Sequence, residues 1–576
     1  MRGFHTGPAV RSERGLPYVS ALDGVRAVAV AGVLLYHAGV PWFPGGFVGV
    51  DVFFVLSGYL ITSLLLAERL ATGGIDLKRF WVRRARRLLP AAFLLIAVCL
   101  VVVAVFLPTE AGRTRGDAIA SFLYVNNWHQ ILAGQSYFAT FDRPSLLQHL
   151  WSLAVEEQFY LLWPLALGFG LARLGRRRTA LVTLAAAAAS VLAMGLLLTP
   201  GHDPTRVYFG TDTHAAGLLA GVVLAFAWPL GRFRAAAPAG AIRLLDGGAV
   251  LGLAVVVWAM TTWHDYDPRV YQGGLALVAV ASAVLIAAVA HPASRVARGL
   301  GVAPMRWIGQ RSYGIYLWHW PVMALTRPGL DVAASRWILV PAQIALTVAI
   351  AAASYRWVEM PVRNGTFKGW LDRRPPHGRL AIALTAVLAL LASGVWIAGR
   401  DATPVHAFRP ASGLTPAAAA QDPAPRVGGR PLAVGASVML AAEDALGRHA
   451  VVDAAIGRQT RDVIRRLERY RARGRLPDRV IVQLGENGPV WSDDVRALRH
   501  ALRGVARVVL VNVRVPRSWN AEVNDALERA VAGWPQARLA DWYAASRRRD
   551  LLYDDATHPN PRGQRAYARL VERAMG

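Results

Sequence analysis

The sequence predicts a multi-pass α-helical membrane domain of about eleven spans followed by a small doubly wound α/β domain. Three observations carry this. Hydrophobic residues are 54% of the 576 and charged residues 18%, with a mean hydropathy of +0.33. This balance excludes disordered and fibrous chains and sits outside that of ordinary cytosolic enzymes. Apolar runs of about 20 residues, enough to cross a bilayer as helix, fill the first part of the chain and stop near residue 398. From 431, short β-branched runs alternate with polar, Arg-rich stretches, the pattern of a parallel sheet with crossover helices. The implied divisions are a cytoplasmic tail over 1–17, a membrane domain over 18–365, a basic loop and further span over 366–398, a linker over 399–430 and an external domain over 431–576.

Spans are read near 22–40, 47–67, 88–107, 149–170, 179–198, 208–230, 245–261, 271–290, 310–326, 337–355 and 379–398. With the N-terminus inside, the cytoplasmic loops hold 23 Lys/Arg and the outer loops 7. Basic loops face the cytoplasm, so this asymmetry sets the orientation, and an odd number of spans puts everything after 398 outside. The net charge of +27 is then a matter of topology and predicts no nucleic-acid partner. Cys99 is the single cysteine, so neither an intrachain disulfide nor a cysteine metal cluster is expected. The polar N-terminal stretch runs straight into a full-length span, which predicts no cleavable leader.

Polar groups within the spans mark function, because a charge at mid-membrane costs roughly 2.5–3.5 kcal/mol on insertion scales. Span 1 carries Arg26 and His37, eleven residues apart. They share one helix face, separated by roughly 16 Å, and each taken alone also suits a snorkelling or interfacial role. Span 2 carries Phe53-Phe54 and the small pair Ser57-Gly58, which permits close helix packing. Arg83, Arg84, Arg86 and Arg87 cluster at the cytoplasmic end of span 3; guanidinium forks there match the oxygens of a phosphate-bearing donor. Span 4 reads His149 to Tyr160 with Glu156, Glu157 and Gln158 adjacent, and a carboxylate there is expected to pair with Arg26 or to orient His37. Span 9 contains Tyr313, Tyr316, Trp318, His319 and Trp320, where aromatics suit an interface and His319 suits a satisfied core group. Span 10 ends with Arg356, Glu359, Pro361 and Arg363, read as a helix-end ion pair with the proline stopping the helix.

In the last 145 or so residues the strands are read at Leu432–Val434, Val451–Ala454, Val480–Leu484, Val508–Val513 and Arg538–Ala540. The linker before them, with Pro404, Pro410, Pro416, Pro423 and Pro425, reads as a semi-extended tether. In doubly wound sheets reactive groups gather beyond the C-terminal strand ends. Those ends carry Ser437 on a sharp turn, Gly457, Asn487 in Gly485-Glu486-Asn487, and Asp555 three residues before His558. The pattern predicts that Asp555 holds one imidazole nitrogen of His558 while the other deprotonates Ser437. Backbone N–H groups of Ser437 and Gly457, with the Asn487 amide, would form an oxyanion hole.

Six ordered blocks carry a resemblance: Arg26-x10-His37, Phe-Phe-x-x-Ser-Gly at 53–58, the Arg-rich turn, Trp-Ser-Leu-x-Val-Glu-Glu-Gln-Phe-Tyr at 151–160, Ser-Tyr-Gly-Ile-Tyr-Leu-Trp-His-Trp-Pro at 312–321, and Glu-x-Pro-Val-Arg at 359–363. Over about 18–365 the chain resembles the acyltransferase-3 family of integral membrane O-acyltransferases. The resemblance implies a cytoplasmic acyl-CoA donor, an acceptor on the far side, a need for Arg26 and His37, and an Arg-x-x-Arg pattern that either Arg83/Arg86 or Arg84/Arg87 satisfies. Residues 431–576 resemble the flavodoxin-like SGNH (GDSL-like) esterases and acetyltransferases, with one departure: Ala436 stands where that family's first block has Asp. Together these imply transfer of an acyl group, by resemblance acetyl, to hydroxyls of peptidoglycan or another envelope glycan through an acyl-Ser437 intermediate. The expected catalytic set is His37, Glu156, Ser437, Asp555 and His558, with Arg26 and the Arg83–Arg87 cluster on the donor. Acyl-CoA enters as co-substrate, and no resident cofactor or metal is expected. The expected location is the plasma membrane. A transporter or lipid-linked sugar-handling protein with a non-catalytic sugar-binding domain is the other reading, and an esterase that removes acetyl groups would leave Arg26 and His37 without a task.

Overall fold

A computed structural model describes residues 16–133, 144–199, 203–233, 237–265, 267–328, 331–332, 334–365, 425, 427–515, 519–547, 549–553 and 557–576. The chain forms two compact units, one over most of residues 1–402 and one built mainly from 403–576.

The first unit is helical. Among the described residues six helices are long and apolar enough to cross a membrane: Gly46–Thr72, Leu77–Phe106, Gly175–Leu197, Ala239–Thr262, Val270–Ala290 and Arg336–Arg363. Three more, Ser20–His37, Leu150–Arg173 and Ala303–Leu325, are of similar length but carry the polar blocks, which lowers their hydropathy. The span read at 208–230 is broken into Thr205–Phe209, Thr211–His214 and Ala216–Ala227. The break turns buried His214 onto Asp51, with Nε2 to Oδ1 at 2.8 Å. The eleventh span, the basic loop before it and nearly all of the linker lie outside the described residues.

Small residues set the helix spacing. A Cβ on Gly58 would lie 1.9 Å from the Leu218 carbonyl oxygen, and one on Gly221 2.1 Å from that of Val55. The helix carrying Ser57-Gly58 therefore crosses Ala216–Ala227 backbone against backbone, a contact that side chains would prevent. Pro361 does not stop its helix. A π turn over Tyr355–Glu359 precedes Met360–Arg363, so the proline falls in a fresh first turn where an N–H is not required. Glu359 there meets the Ser354 hydroxyl at 3.5 Å.

The second unit holds five parallel strands, β1 Leu432–Gly435, β2 Val451–Ala454, β3 Arg479–Gln483, β4 Arg507–Val511 and β5 Ala537–Ala540, in the order β2-β1-β3-β4-β5. Register pairs Val434 with both Asp453 and Val482. The chain leaves β1 in one direction to β2, then returns past it to β3. That reversal puts the topological switch point at the C-terminal ends of β1 and β3. The final helix, Pro561–Met575, buries Tyr567, Val571 and Met575 with Ala433, Ile481, Val509 and Val511. The central strands are short, continuous apolar runs buried on both faces, as in a covered parallel sheet, and the predicted strands match the observed ones to within a residue or two.

Candidate functional site

In the second unit, Ser437 opens the short helix Ser437–Ala441 directly after β1, with Ala436 at the N-cap. His558 arrives from a loop pinned on both sides. The Tyr553 N–H donates to the His558 carbonyl at 2.9 Å, and the Asn560 N–H to that of Leu551 at 3.0 Å. Asn560 also caps the final helix through the N–H groups of Arg562 and Gly563. These constraints bring His558 Nε2 to 2.9 Å from Ser437 Oγ. Both residues are buried. The arrangement suits a hydroxyl activated by a base. Asp555, expected to hold the other ring nitrogen, lies outside the described residues.

The expected oxyanion donors are placed differently from the sequence reading. The Asn487 amide donates to the Arg458 carbonyl at 3.0 Å, and the Ser437 N–H bears on the Glu486 carboxyl. Gly457 takes φ +69°, a left-handed turn natural to glycine, and leads into Arg458. That turn is anchored by a buried cluster on Asp453: Arg458 Nη2 to Oδ1 at 2.9 Å, Arg466 Nε to Oδ2 at 2.6 Å and the Tyr470 hydroxyl to Oδ2 at 2.8 Å. Burial alone would raise the Asp453 carboxyl, but the two guanidinium groups hold it below its ordinary range.

Glu486 carried no role in the sequence reading, yet among the described residues its carboxylate meets the serine hydroxyl. Its Oε2 accepts from the Val438 N–H at 3.1 Å and lies 3.4 Å from Ser437 Oγ. Burial pushes it up to about 7, against the opposing pull of the Val438 N–H and His558. Only its side-chain type at a strand end could have signalled it.

In the first unit, Arg26, Arg84 and Arg87 line one cavity of about 110 Å³ together with Ser57, Glu156 and Tyr160. Arg84 stacks over the Phe80 and Tyr160 rings. Arg83 instead turns to Glu68 at 3.7 Å, and Arg86, exposed like Arg87, is not part of the cavity lining. Of the two overlapping Arg-x-x-Arg pairs, Arg84/Arg87 thus faces the cavity. Glu156 neither pairs with Arg26 nor orients His37. Arg26 is held by Asp23 at 2.8 Å, one turn earlier on its own helix, while Glu156 accepts from the Ser57 and Tyr160 hydroxyls. Gln158 is taken up structurally, donating to the Tyr124 carbonyl at 2.8 Å and accepting from Thr211 at 2.6 Å.

His37 does not line that cavity. It belongs to a cluster with His149 and His319, whose ring centroids lie 5.0 Å (His37–His319) and 5.6 Å (His149–His319) apart. His319 Nδ1 is bonded to the Tyr316 carbonyl, which can only accept, so Nδ1 carries the proton and Nε2 the lone pair. That lone pair faces His37 Nδ1 at 3.1 Å, so Nδ1–H of His37 donates and the His37 lone pair resides on Nε2. By the same logic His149 donates from Nε2 to the Leu317 carbonyl at 3.0 Å. Tyr316 joins the two regions: it lines the cavity, meets Ser152 Oγ at 2.5 Å, and lies with its ring tilted 5.2 Å from that of His319. The sequence reading left His319 as a core group and gave His149 no role; a histidine whose neighbours are themselves histidines on other helices has no local signature.

Residues 19–356 match the family described as Acyltransferase domain. The peptidoglycan O-acetyltransferase OatA of Listeria monocytogenes serovar 1/2a (strain ATCC BAA-679 / EGD-e) is 36% identical over 612 residues, covering 97% of this chain and 98% of that protein. The O-acetyltransferase OatA of Staphylococcus aureus (strain NCTC 8325 / PS 47) is 34% identical over 584 residues, covering 97% and 96%. A solved structure of the Streptococcus pneumoniae peptidoglycan O-acetyltransferase A C-terminal catalytic domain is 19% identical and covers 26% of this chain and 93% of that one, with a TM-score of 0.24. Matched through its helical unit and aligned with these relatives almost end to end, the chain belongs to the Acyltransferase domain family and is an O-acyltransferase.

Proposed function

We propose that the protein moves an acetyl group from cytoplasmic acetyl-CoA to hydroxyls of a cell-envelope glycan, peptidoglycan or a related surface polysaccharide, through an acyl-Ser437 intermediate. The names of its relatives support the acceptor class. The observation that carries the intermediate is the 2.9 Å approach of His558 Nε2 to Ser437 Oγ, both residues buried at the C-terminal end of β1. A non-catalytic sugar-binding domain has no need of that pair.

In this reading eleven spans place the N-terminus inside and an SGNH-like domain outside. Arg26, Arg84 and Arg87 hold the phosphates of the donor, for which guanidinium forks are suited. His37 Nε2, with its lone pair set by His319, serves as base or acyl carrier in passing the acyl group outward. At the external site His558 takes the Ser437 proton as Oγ attacks the acyl carbonyl, then returns that proton to the departing donor group. A glycan hydroxyl next gives its proton to His558 and attacks the serine ester. The Ser437 oxygen leaves and regains the proton, which closes the cycle with the ester on the glycan. Asp555 orients His558.

Membranes bearing wild type, His37→Ala or Ser437→Ala, supplied with labelled acetyl-CoA, test the scheme. Wild type should label glycan and both variants should not. Full labelling by Ser437→Ala would refute the acyl-serine route, and full labelling by His37→Ala would refute the membrane half.

A further inference from the structure

The helix that presents Ser437 begins without a cap of its own. Ala436 sits at its N-cap with no side-chain oxygen, and no side chain on that turn accepts from the first N–H groups. Buried helix starts need such an acceptor. It arrives instead from the end of β3, where Glu486 Oε2 takes the Val438 N–H at 3.1 Å. The same oxygen lies 3.4 Å from Ser437 Oγ, and Glu486 is 4% exposed. Its neighbour Asn487 is tied through Arg458 to the Asp453 cluster, so the carboxyl is held at the mouth of a rigid loop and not on a free side chain.

We infer that Glu486 is the positioning residue of the Ser437 turn, supplying from a different strand the capping acceptor that residue 436 cannot. This rests on the reading of Ser437 as the acylated nucleophile. Glu486 does not touch the acyl group; it fixes the helix start so that Oγ meets His558 Nε2. A shift of about 1 Å in such a pair can cost about 10²-fold in rate.

The test uses the full chain in detergent with 4-nitrophenyl acetate as acyl donor, following the acylation burst, with kcat and KM separated. Glu486→Gln keeps an oxygen able to accept from Val438 and should stay within about threefold of wild type, whereas Glu486→Ala should lower kcat by about 10–100-fold with KM little changed. Asp is a preferred N-cap residue. Ala436→Asp placed in the Glu486→Ala background should therefore recover at least about fivefold of the loss, which a merely destabilised chain would not do. Wild-type rates in Glu486→Ala, a loss in Glu486→Gln as deep as in Glu486→Ala, or no recovery with Ala436→Asp would each overturn the inference. Ser437→Ala separates the two levels. If it still shows the burst, the nucleophile assignment fails; if it is inert while Glu486→Ala is unimpaired, only the positioning role fails.

Discussion

His319 Nε2 lies 3.1 Å from His37 Nδ1, although 282 residues separate them. The Tyr316 carbonyl decides the direction of this bond by holding His319 Nδ1–H, and the consequence is a lone pair on His37 Nε2. Removing His319 would release that tautomer. His319→Ala should lower acetyl transfer to glycan by about 10²-fold or more, the scale of a misdirected general base. Labelled acetyl-CoA with washed membranes measures it.

Glu486 predicts a pH dependence of stability with a defined sign. Its ordinary value is 4.5 and burial raises it to about 7 in the fold, where Ser437, Val438 N–H and His558 face it and Tyr567 lies close by. The folded state therefore keeps a proton that the unfolded chain gives up. Stability is full below about 4.5, falls as pH rises toward 7, and is flat above, a loss of about 3 kcal/mol in all. Glu486→Gln should abolish that slope. The urea midpoint for hydrogen exchange of the β4 amides, taken at pH 5 and pH 8, reads it in the intact chain.

Asp453 neutralises two buried guanidinium groups at once. Asp453→Ala removes the buried carboxylate that Arg458 and Arg466 share, and breaking a buried pair from one side costs about 3–5 kcal/mol. The same β4 exchange midpoint should fall accordingly, and the Arg458 turn that receives the Asn487 amide should lose protection with it.

The arginine cluster divides by direction. Arg84→Ala or Arg87→Ala should raise the KM for acetyl-CoA by about 10–100-fold, as expected for one charge-assisted contact, while Arg86→Ala, exposed and outside the cavity lining, should stay within about twofold. Initial rates of transfer against acetyl-CoA concentration distinguish these.

Much of the architecture was legible because hydropathy and period are local properties. The strands β1 to β5, the placement of Ser437 at a strand end and the polar blocks in the helices all follow from neighbours in sequence. Glu156 shows where this stops. A carboxylate in an apolar helix demands partners, but the choice of Ser57 and Tyr160 over Arg26 depends on which helix faces which. Asp23, one turn before Arg26, had already claimed that guanidinium. The break at 208–230 was hidden for a similar reason: His214 leaves the helical line to reach Asp51, a contact no periodicity records.

The amino-acid sequence alone determined that this chain is divided into an apolar helical half and an α/β half, because burial preference and chain geometry act over a few residues, and its six ordered blocks carry the resemblance to the acyltransferase family. Only the tertiary structure decided which arginines share a cavity, which nitrogen of His37 bears the lone pair, and that Glu486 caps the turn of Ser437. Each of these is a matter of two groups from distant segments meeting within hydrogen-bond range, and direction and distance at that scale are set by packing, not by spacing along the chain.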